Sequence, residues 1–405
     1  MKISGSGLIK SFLTWLSVFV LWSFMFTMTK TSWSSIVYVF LAGFAVVLGL
    51  LAIMYKPNQI NSRLCLWIPF VFLSLYGNYK LGNIEGIIYW FICLALIFFA
   101  NRIDWENAFP ERVLFVSGVI MIVGIIFQIV FPSIYNTYIA TFFKNTNDIL
   151  YWSNGYGYAG FTYQLGVTAI ILIYFEGILL YNDFNNKNIK NILLFITIIF
   201  IFLTGKRAVA LLAILLPIMV MILSKKIASK RTFNIMLALT IVGIIVYIMA
   251  MNAELFVNSR LLGRFASTII DMENGQDFSS HRSVLYTDAI QLFNNNKLFG
   301  IGLGQYKELS QYGTDVHNAY LQVLCELGIV GFVCYVVPLA INVLICIKRN
   351  RAEESKQLKI SLFIQLFFIL YGFTGNVSVN EFCYMFYFIS ICMMIGYKKQ
   401  EIAYK

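Results

Sequence analysis

The chain has 405 residues, and its 30 lysines and arginines outnumber 19 acidic residues to give a formal net charge of +11. Hydrophobic residues make up 60% of the chain and charged residues 12%, whereas soluble domains have about 45–50% and about 25%. Because so few charged side chains cannot cover so much apolar surface, the composition excludes a soluble globule and predicts an integral membrane protein. The seven cysteines lack metal-ligand spacing, so neither a disulfide framework nor a metal site is predicted.

Twelve apolar segments are candidate membrane spans, since a spanning helix needs about 20 mostly apolar residues. Six are long, at residues 8–28, 33–54, 113–131, 159–181, 233–250 and 329–347. Six are shorter or interrupted, at residues 64–78, 86–100, 189–204, 208–223, 360–373 and 382–397. Glu176 falls inside the sixth span, where a charge is costly, and is therefore a candidate functional or helix-pairing residue.

We therefore predict an all-α integral membrane protein with about 12 transmembrane helices. Nine spans fall in residues 1–250, and three spans followed by a cytoplasmic tail fall in residues 319–405. Between spans nine and ten, residues 251–318 form one large, partly helical loop that carries the candidate active site.

The distribution of positive charge predicts the orientation of the spans. An even number of spans places both termini on one side, and two-thirds of the 30 lysines and arginines then fall in segments on that side. Cytoplasmic loops carry the excess of lysine and arginine, and the short loops 224–232 and 348–359 are rich in both. Both termini are thus predicted to be cytoplasmic, with residues 251–318 outside. The net charge orients the chain and gives no reason to expect nucleic acid as a partner.

The predicted outer loop contains both histidines of the chain, His281 and His317. Apolar residues at 285, 289, 292 and 293 recur with helical period, and Ser280 stands where an N-cap belongs, so we expect an ordered helix. Arg282 falls in its first turn, where free N–H groups and the helix dipole favour an anion. A solvated surface arginine is the alternative.

A second cationic group, Lys206 and Arg207, interrupts a long apolar stretch. A charge at the bilayer centre costs about 2.5–3.5 kcal/mol. We therefore predict a tight turn at Thr204–Gly205 that places the pair at the outer surface, where it could bind a phosphate. An ordinary snorkelling pair is the alternative. Arg260 and Arg264 share a helix face by their spacing, which is more typical of a solvated face than of a site.

Three glycines, Gly300, Gly302 and Gly304, precede the tenth span. Their spacing does not fit a nucleotide-binding loop, so they are interpreted as a flexible turn that lets the backbone approach a substrate. His317 is predicted in the first turn of the next helix, where the dipole keeps the imidazole neutral and able to act as a base. A histidine that merely helps to cap the helix is the alternative. Glu326 lies on the opposite helix face from His317, which favours a structural role.

Three segments resemble a known family. HNAYLQVLCELGIVG at residues 317–331 resembles the H-N-x-[YL]-L-x-x-x-x-E-x-G-x-x-G signature of the bacterial O-antigen ligase/polymerase superfamily. LFGIGLG at residues 298–304 resembles the glycine-rich approach to that signature, with Lys297 in place of the usual proline. LTGKRAVAL at residues 203–211 resembles the family's turn, with Lys206 where serine is common. Arg282 stands where the family has an arginine at the head of the loop helix.

The resemblance implies a membrane glycosyltransferase on the outer face of the bacterial inner membrane. A polymerase of this superfamily moves a growing O-antigen or capsule glycan from polyprenyl pyrophosphate onto the next lipid-linked repeat unit. A ligase moves it onto lipid A core. Neither needs a cofactor, a metal or a nucleotide sugar, and a chain-length regulator is a further partner that the resemblance suggests. We expect a polymerase, with the ligase as the alternative. A transporter or flippase is disfavoured because the sequence shows no internal repeat.

The resemblance also implies roles for individual residues. His317 is expected to accept the proton of the acceptor hydroxyl and so to allow direct displacement with inversion. Arg207 and Arg282 are expected to stabilise the leaving pyrophosphate, an electrostatic task that usually dominates such catalysis. Six further residues are expected to bind substrate: Lys206, Arg264, Gly302, Gly304, Asn318 and Tyr320.

Overall fold

The computed structural model describes residues 30–54, 62–99, 109–153, 156–224, 252–259, 262–275, 282–353, 355–375, 377 and 381–396. The elements within these ranges are helices. The longer ones are α1 (Ser34–Met54), α2 (Ile68–Lys80), α3 (Ile84–Phe99), α4 (Phe109–Val130), α5 (Thr146–Ser153), α6 (Leu165–Tyr181), α7 (Lys187–Leu203), α8 (Arg207–Ser224), α9 (Gly263–Glu273), α10 (Arg282–Asn295), α11 (Ala319–Ala352), α12 (Lys356–Tyr371) and α13 (Glu381–Gly396).

Several of these helices are suited to a membrane, and the protein is a multi-pass membrane protein. Among the described residues, three segments are long and apolar enough to cross a bilayer: Glu111–Val130, Arg207–Ser224 and Ala319–Ala352. Four shorter apolar helices accompany them: Ser34–Gly43, Ile84–Phe98, Leu165–Tyr181 and Cys383–Met394. The predicted spans at 8–28 and 233–250 lie outside the described residues, so the number of twelve and the topology remain predictions.

The chain divides into two compact units. The first comprises the described parts of 1–113, 282–346 and 360–405, and the second those of 114–281 and 347–359. The predicted outer loop is therefore shared: α9 belongs to the second unit and α10 to the first.

An aromatic core holds the first unit together, where α3 packs against α1, α2 and α13. Trp67 is fully buried at its centre. The ring of Trp67 makes edge contacts, with centroids 5.4–6.2 Å apart, to the rings of Phe70, Tyr335, Tyr384, Tyr387 and Phe388. Edge-to-face pairs of this kind add about 0.5–1.5 kcal/mol each beyond the area they bury. They join α11 and α13 to the start of α2.

The core of the second unit is α6, which packs against α7 and α8 and is buried along nearly its whole length. Gly118 of α4 makes room for this helix, because a Cβ there would lie 2.1 Å from Cγ of Phe175. Glu176, the predicted functional or helix-pairing residue, is buried within α6. Burial on every side explains why α6 has apolar residues all round.

Candidate active site

The turn between α7 and α8 presents Lys206 and Arg207. Gly205 in this turn has a φ of 68°, which glycine adopts without steric cost. Thr204 is buried, and its hydroxyl donates to the Ile201 carbonyl at 2.7 Å. The tight turn predicted from the sequence is therefore present, and Arg207 is the first residue of α8.

The segment that leads into α6 holds this turn in place. The Tyr158 amide donates to the Leu203 carbonyl at 3.1 Å. A Cβ at Gly157 would lie 2.3 Å from the Thr204 carbonyl oxygen, so only glycine allows the two backbones to approach this closely. The start of α8 is thus fixed by backbone contacts.

Arg207 also contacts α9. Its guanidinium Nη1 donates a hydrogen bond to the hydroxyl of Thr268, and both residues are half-buried. The rings of Phe202 and Phe265 pack beside this bond with centroids 5.5 Å apart. A polar and an aromatic contact together hold α9 against the turn.

Two further predicted cations adjoin this contact in the chain. Lys206 precedes Arg207 and is half-buried. Arg264 is the second residue of α9 and precedes Phe265. The second compact unit therefore contains three of the predicted cations, at positions next to one helix–turn contact.

Arg282 belongs to the first compact unit, where it is the first described residue of α10 and half-buried. Its guanidinium is near enough to the Tyr371 phenol for the two to interact electrostatically. Ser280, the predicted N-cap, and His281 lie outside the described residues.

The helix α10 docks by the face that its sequence predicted. Ala289 is buried in a cluster with Tyr306, Val316 and Cys325. The Tyr306 hydroxyl donates to the Leu285 carbonyl at 3.1 Å. Burial raises the pKa of Tyr306, so the phenol keeps its proton and remains a donor. The second half of the predicted loop is therefore ordered by its own apolar contacts.

His317 lies before α11 and not in its first turn, so this prediction was wrong. The helix begins at Ala319. Asn318 is its N-cap, with Oδ1 accepting from the amides of Tyr320 at 3.0 Å and Leu321 at 3.1 Å. An N-cap residue is the last with non-helical backbone, which leaves His317 one position further out. The N-terminal end of the helix dipole therefore lies at Asn318 and not at His317.

The backbone of His317 is left-handed, with a φ of 59°, and within the described part of the chain no other non-glycine residue has a positive φ. This conformation costs an L-residue about 1–2 kcal/mol and persists only where the surroundings enforce it. The Ala319 amide donates to the Gly372 carbonyl at 2.8 Å, and the Tyr286 hydroxyl lies 3.4 Å from the His317 carbonyl. These contacts fix the half-buried histidine at a corner between α10, α11 and α12.

Tyr320 is engaged within the same corner. Its hydroxyl donates to the Ile369 carbonyl at 2.8 Å, and its ring centroid lies 4.6 Å from that of Phe373. Asn318 and Tyr320, both expected to bind substrate, thus use their polar groups in cap and helix contacts that support His317.

The long helix α11 is broken at Gly328, whose φ of 64° and ψ of −165° are not helical. The break leaves the carbonyls of Cys325 and Glu326 without their usual partners four residues on. They accept instead from the amides of Ile301 at 3.0 Å and Gly302 at 2.8 Å.

The same break also leaves two amides without helical partners. Ile329 donates to the Lys297 carbonyl at 2.9 Å, and Val330 donates to the Leu298 carbonyl at 3.2 Å. Buried backbone groups require such partners. Residues 297–302 therefore supply hydrogen-bond partners for two carbonyls and two amides beside the break.

Glycine is required on both sides of this contact. A Cβ at Gly300 would lie 2.4 Å from the Glu326 carbonyl carbon, and one at Gly328 would lie 2.3 Å from the Leu298 carbonyl oxygen. The sequence predicts a flexible turn whose backbone approaches a substrate. In the structure its backbone approaches α11, because the broken helix supplies matching hydrogen-bond partners, and the Gly302 amide is used there.

The Glu326 side chain is buried where the loop meets the break. Its Oε1 accepts from the Tyr306 amide at 3.4 Å and from Gln322 Nε2 at 3.2 Å, and the Gly304 amide faces the same carboxyl group. Gln322 Nε2 also lies 3.4 Å from an Asp315 carboxylate oxygen. Glu326 thus ties the loop to the helix, in the kind of structural role that the sequence favoured.

Two supporting residues, Thr268 and Gln322, were not singled out from the sequence. Gln322 could have been, because it precedes Glu326 by one helical turn, the spacing at which side chains on a helix meet. Thr268 had no local signal, since it is 61 residues from Arg207 in the chain.

Residues 192–336 match the family model described as O-antigen ligase. This match supports membership of the O-antigen ligase/polymerase superfamily. The matched region runs from α7 into α11 and includes Arg207, Arg282 and His317, in agreement with the motifs. No curated protein matches the chain. The match also supports a glycan-handling membrane enzyme.

Proposed function

We propose that this O-antigen ligase/polymerase superfamily member is a polysaccharide repeat-unit polymerase of the bacterial inner membrane. It transfers a growing glycan from polyprenyl pyrophosphate onto the next lipid-linked repeat unit, on the outer face of the membrane. The observation that carries the proposal is the family match over residues 192–336, which contains both arginines and the histidine of the motifs.

Arg207 and Arg282 are proposed to bind the donor pyrophosphate. Arg207 is the first residue of α8, and Arg282 is the first described residue of α10. The N–H groups and the dipole at a helix N-terminus favour an anion. A guanidinium adds a bidentate fork that suits phosphate oxygens. Lys206 and Arg264 add positive charge, so the negative charge that develops on the leaving pyrophosphate is stabilised as the glycosidic bond breaks.

His317 is proposed as the general base. The acceptor hydroxyl oxygen forms a bond to the anomeric carbon while the bond from that carbon to the phosphate oxygen breaks. The bonding electron pair leaves with the pyrophosphate, the proton passes to the imidazole, and the configuration inverts. The left-handed backbone at His317 supports this role, because enforced strain is concentrated at functional sites.

Four other residues were predicted to bind substrate: Gly302, Gly304, Asn318 and Tyr320. We propose that they act by holding the backbone around His317 in place. Their described contacts are to Glu326, to the first turn of α11 and to α12. Replacing them should therefore reduce activity through the position of His317.

An O-antigen ligase is the second candidate, favoured by the description of the matched family. Deleting the gene and sizing the surface polysaccharide separates the two. Single-repeat material identifies a polymerase, whereas unmodified core with accumulated lipid-linked polymer identifies a ligase. Unchanged polysaccharide would contradict both. Complementation with the wild-type gene should restore the original length distribution.

A further inference from the structure

Two exposed tyrosines form a pair in the second compact unit. Tyr151 of α5 is 58% exposed and Tyr156 is 40% exposed. Their ring centroids lie 5.0 Å apart with planes at 33°, and their hydroxyl oxygens are 2.8 Å apart. This hydrogen bond raises the pKa of Tyr151, so the Tyr151 phenol stays neutral at physiological pH. The pair presents aromatic faces and hydroxyls together.

The pair lies next to the turn that carries the cations. Tyr156 directly precedes Gly157 and Tyr158, the two residues whose backbone packs against the turn before Lys206 and Arg207. Tyr156 is therefore the direct chain neighbour of a residue whose backbone fixes the proposed pyrophosphate site.

The helix that carries Tyr151 packs against a buried cluster. Ile149 of α5 is buried in a cluster with Tyr135, Ala140 and Phe143, and Tyr151 lies about 200° further round the helix. The Tyr135 hydroxyl donates to the Gly160 carbonyl at 2.7 Å. One face of α5 is thus anchored, and the opposite face holds Tyr151 outward.

This chemistry suits a sugar. A pyranose ring presents C–H groups on one face, which pack against the negative face of an aromatic ring, and its hydroxyls can bond to the phenols. Tyrosines can also anchor a protein at the membrane interface. The fixed pairing and the adjoining cations favour a ligand that carries sugar and phosphate together.

We propose that Tyr151 and Tyr156 form a saccharide subsite for the glycan whose pyrophosphate is held at Arg207. The inference rests on the proposed function. It adds a place for the sugars of the lipid-linked donor beside the cationic turn.

The test is binding of a lipid-free saccharide. The full-length protein in nanodiscs is titrated by calorimetry with oligosaccharides released by mild acid from the surface polysaccharide of the wild-type strain. Tyr151→Leu/Tyr156→Leu keeps apolar bulk but removes the rings, and should weaken binding at least about tenfold, which corresponds to about 1.4 kcal/mol. Tyr151→Phe/Tyr156→Phe should weaken it less. Tyr138→Leu is the matched control and should bind as wild type. Tyr138 is 70% exposed and lies in the helical turn Tyr135–Ile139, which precedes α5.

Several outcomes would overturn the subsite: no binding by the wild type, undiminished binding by the double leucine variant, or an equal loss in Tyr138→Leu. If the double variant does not accumulate, Tyr156→Leu alone must weaken binding at least about fivefold, or about 1 kcal/mol. Failure of the subsite leaves the deletion-strain result unchanged, so the two proposals fail separately.

Discussion

The guanidinium of Arg207 donates a hydrogen bond to the hydroxyl of Thr268, a residue 61 positions away on α9. Arg207 stands at the start of α8, and α9 comes from the segment predicted to lie outside the membrane. This bond fixes the direction of a guanidinium whose five N–H donors lie in one plane. Thr268 thus positions the arginine at the start of α8.

Replacing Thr268 by valine should raise KM for the lipid-linked donor about tenfold, since hydrogen bonds to charged groups contribute about 1.5–3 kcal/mol and this one is half-buried. Thr268→Ser keeps the hydroxyl and should recover most of the loss. Initial rates in nanodiscs against donor concentration separate KM from kcat. Thr287→Val is the control, because the exposed Thr287 hydroxyl bonds only within its own helix, to Ser283. A wild-type KM for Thr268→Val would refute the positioning role.

Lysine at position 207 or 282 should retain partial activity, and alanine should be much worse. Lysine keeps the charge but loses the planar fork that binds two phosphate oxygens at once. Polymer amount and length in complemented deletion strains, normalised to protein abundance in the membrane, provide the measurement. If both alanine variants make normal polymer, the pyrophosphate assignment is wrong.

Replacing His317 by alanine should abolish visible polymer while the protein still accumulates, since general bases contribute about 10²–10⁴-fold. His317→Gly is a sharper variant, because glycine tolerates the φ of 59° and should raise the apparent Tm relative to alanine without restoring activity. His281→Ala should be nearly silent. An active and normally abundant His317→Gln enzyme would exclude the base role.

Replacing Gly328 by alanine should lower stability by about 2–5 kcal/mol, the sum of a left-handed φ and an overpacked contact. Gly82→Ala is the matched control, since its φ is 64° but nothing lies within 4 Å of the position that a Cβ would take, and it should lose only about 1–2 kcal/mol. The apparent Tm in detergent compares the two. Equal losses would show that the close approach of the glycine segment to α11 is unimportant.

Cysteine labelling tests the predicted topology. In a cysteine-free background, Asn274→Cys should react with an impermeant reagent in intact spheroplasts, and Ala228→Cys should not, because the basic loop 224–232 is predicted to be cytoplasmic. Asn274 is exposed and avoids the positive φ of the neighbouring Gly275. Labelling at position 228 with none at position 274 would contradict the predicted orientation.

Several features follow from the sequence because they depend on local chemistry. The excess of apolar residues excludes a soluble globule, since no packing can hide that surface. Two adjacent cations inside an apolar run predicted a turn, and the structure has this turn at Thr204 and Gly205. The apolar period of 285, 289 and 292 indicated α10, because a helix buries one face.

The tertiary structure alone decided how the site is supported. His317 lies outside α11 because Asn318 caps the helix and the Gly372 carbonyl takes the Ala319 amide, and the second of these partners is distant in sequence. Gly300 meets Gly328 because a broken helix needs replacement partners for its backbone groups. Thr268 reaches Arg207 only after α9 packs on the α7–α8 turn. Periodicity and propensity describe neighbours along the chain, whereas these contacts join segments that only packing brings together.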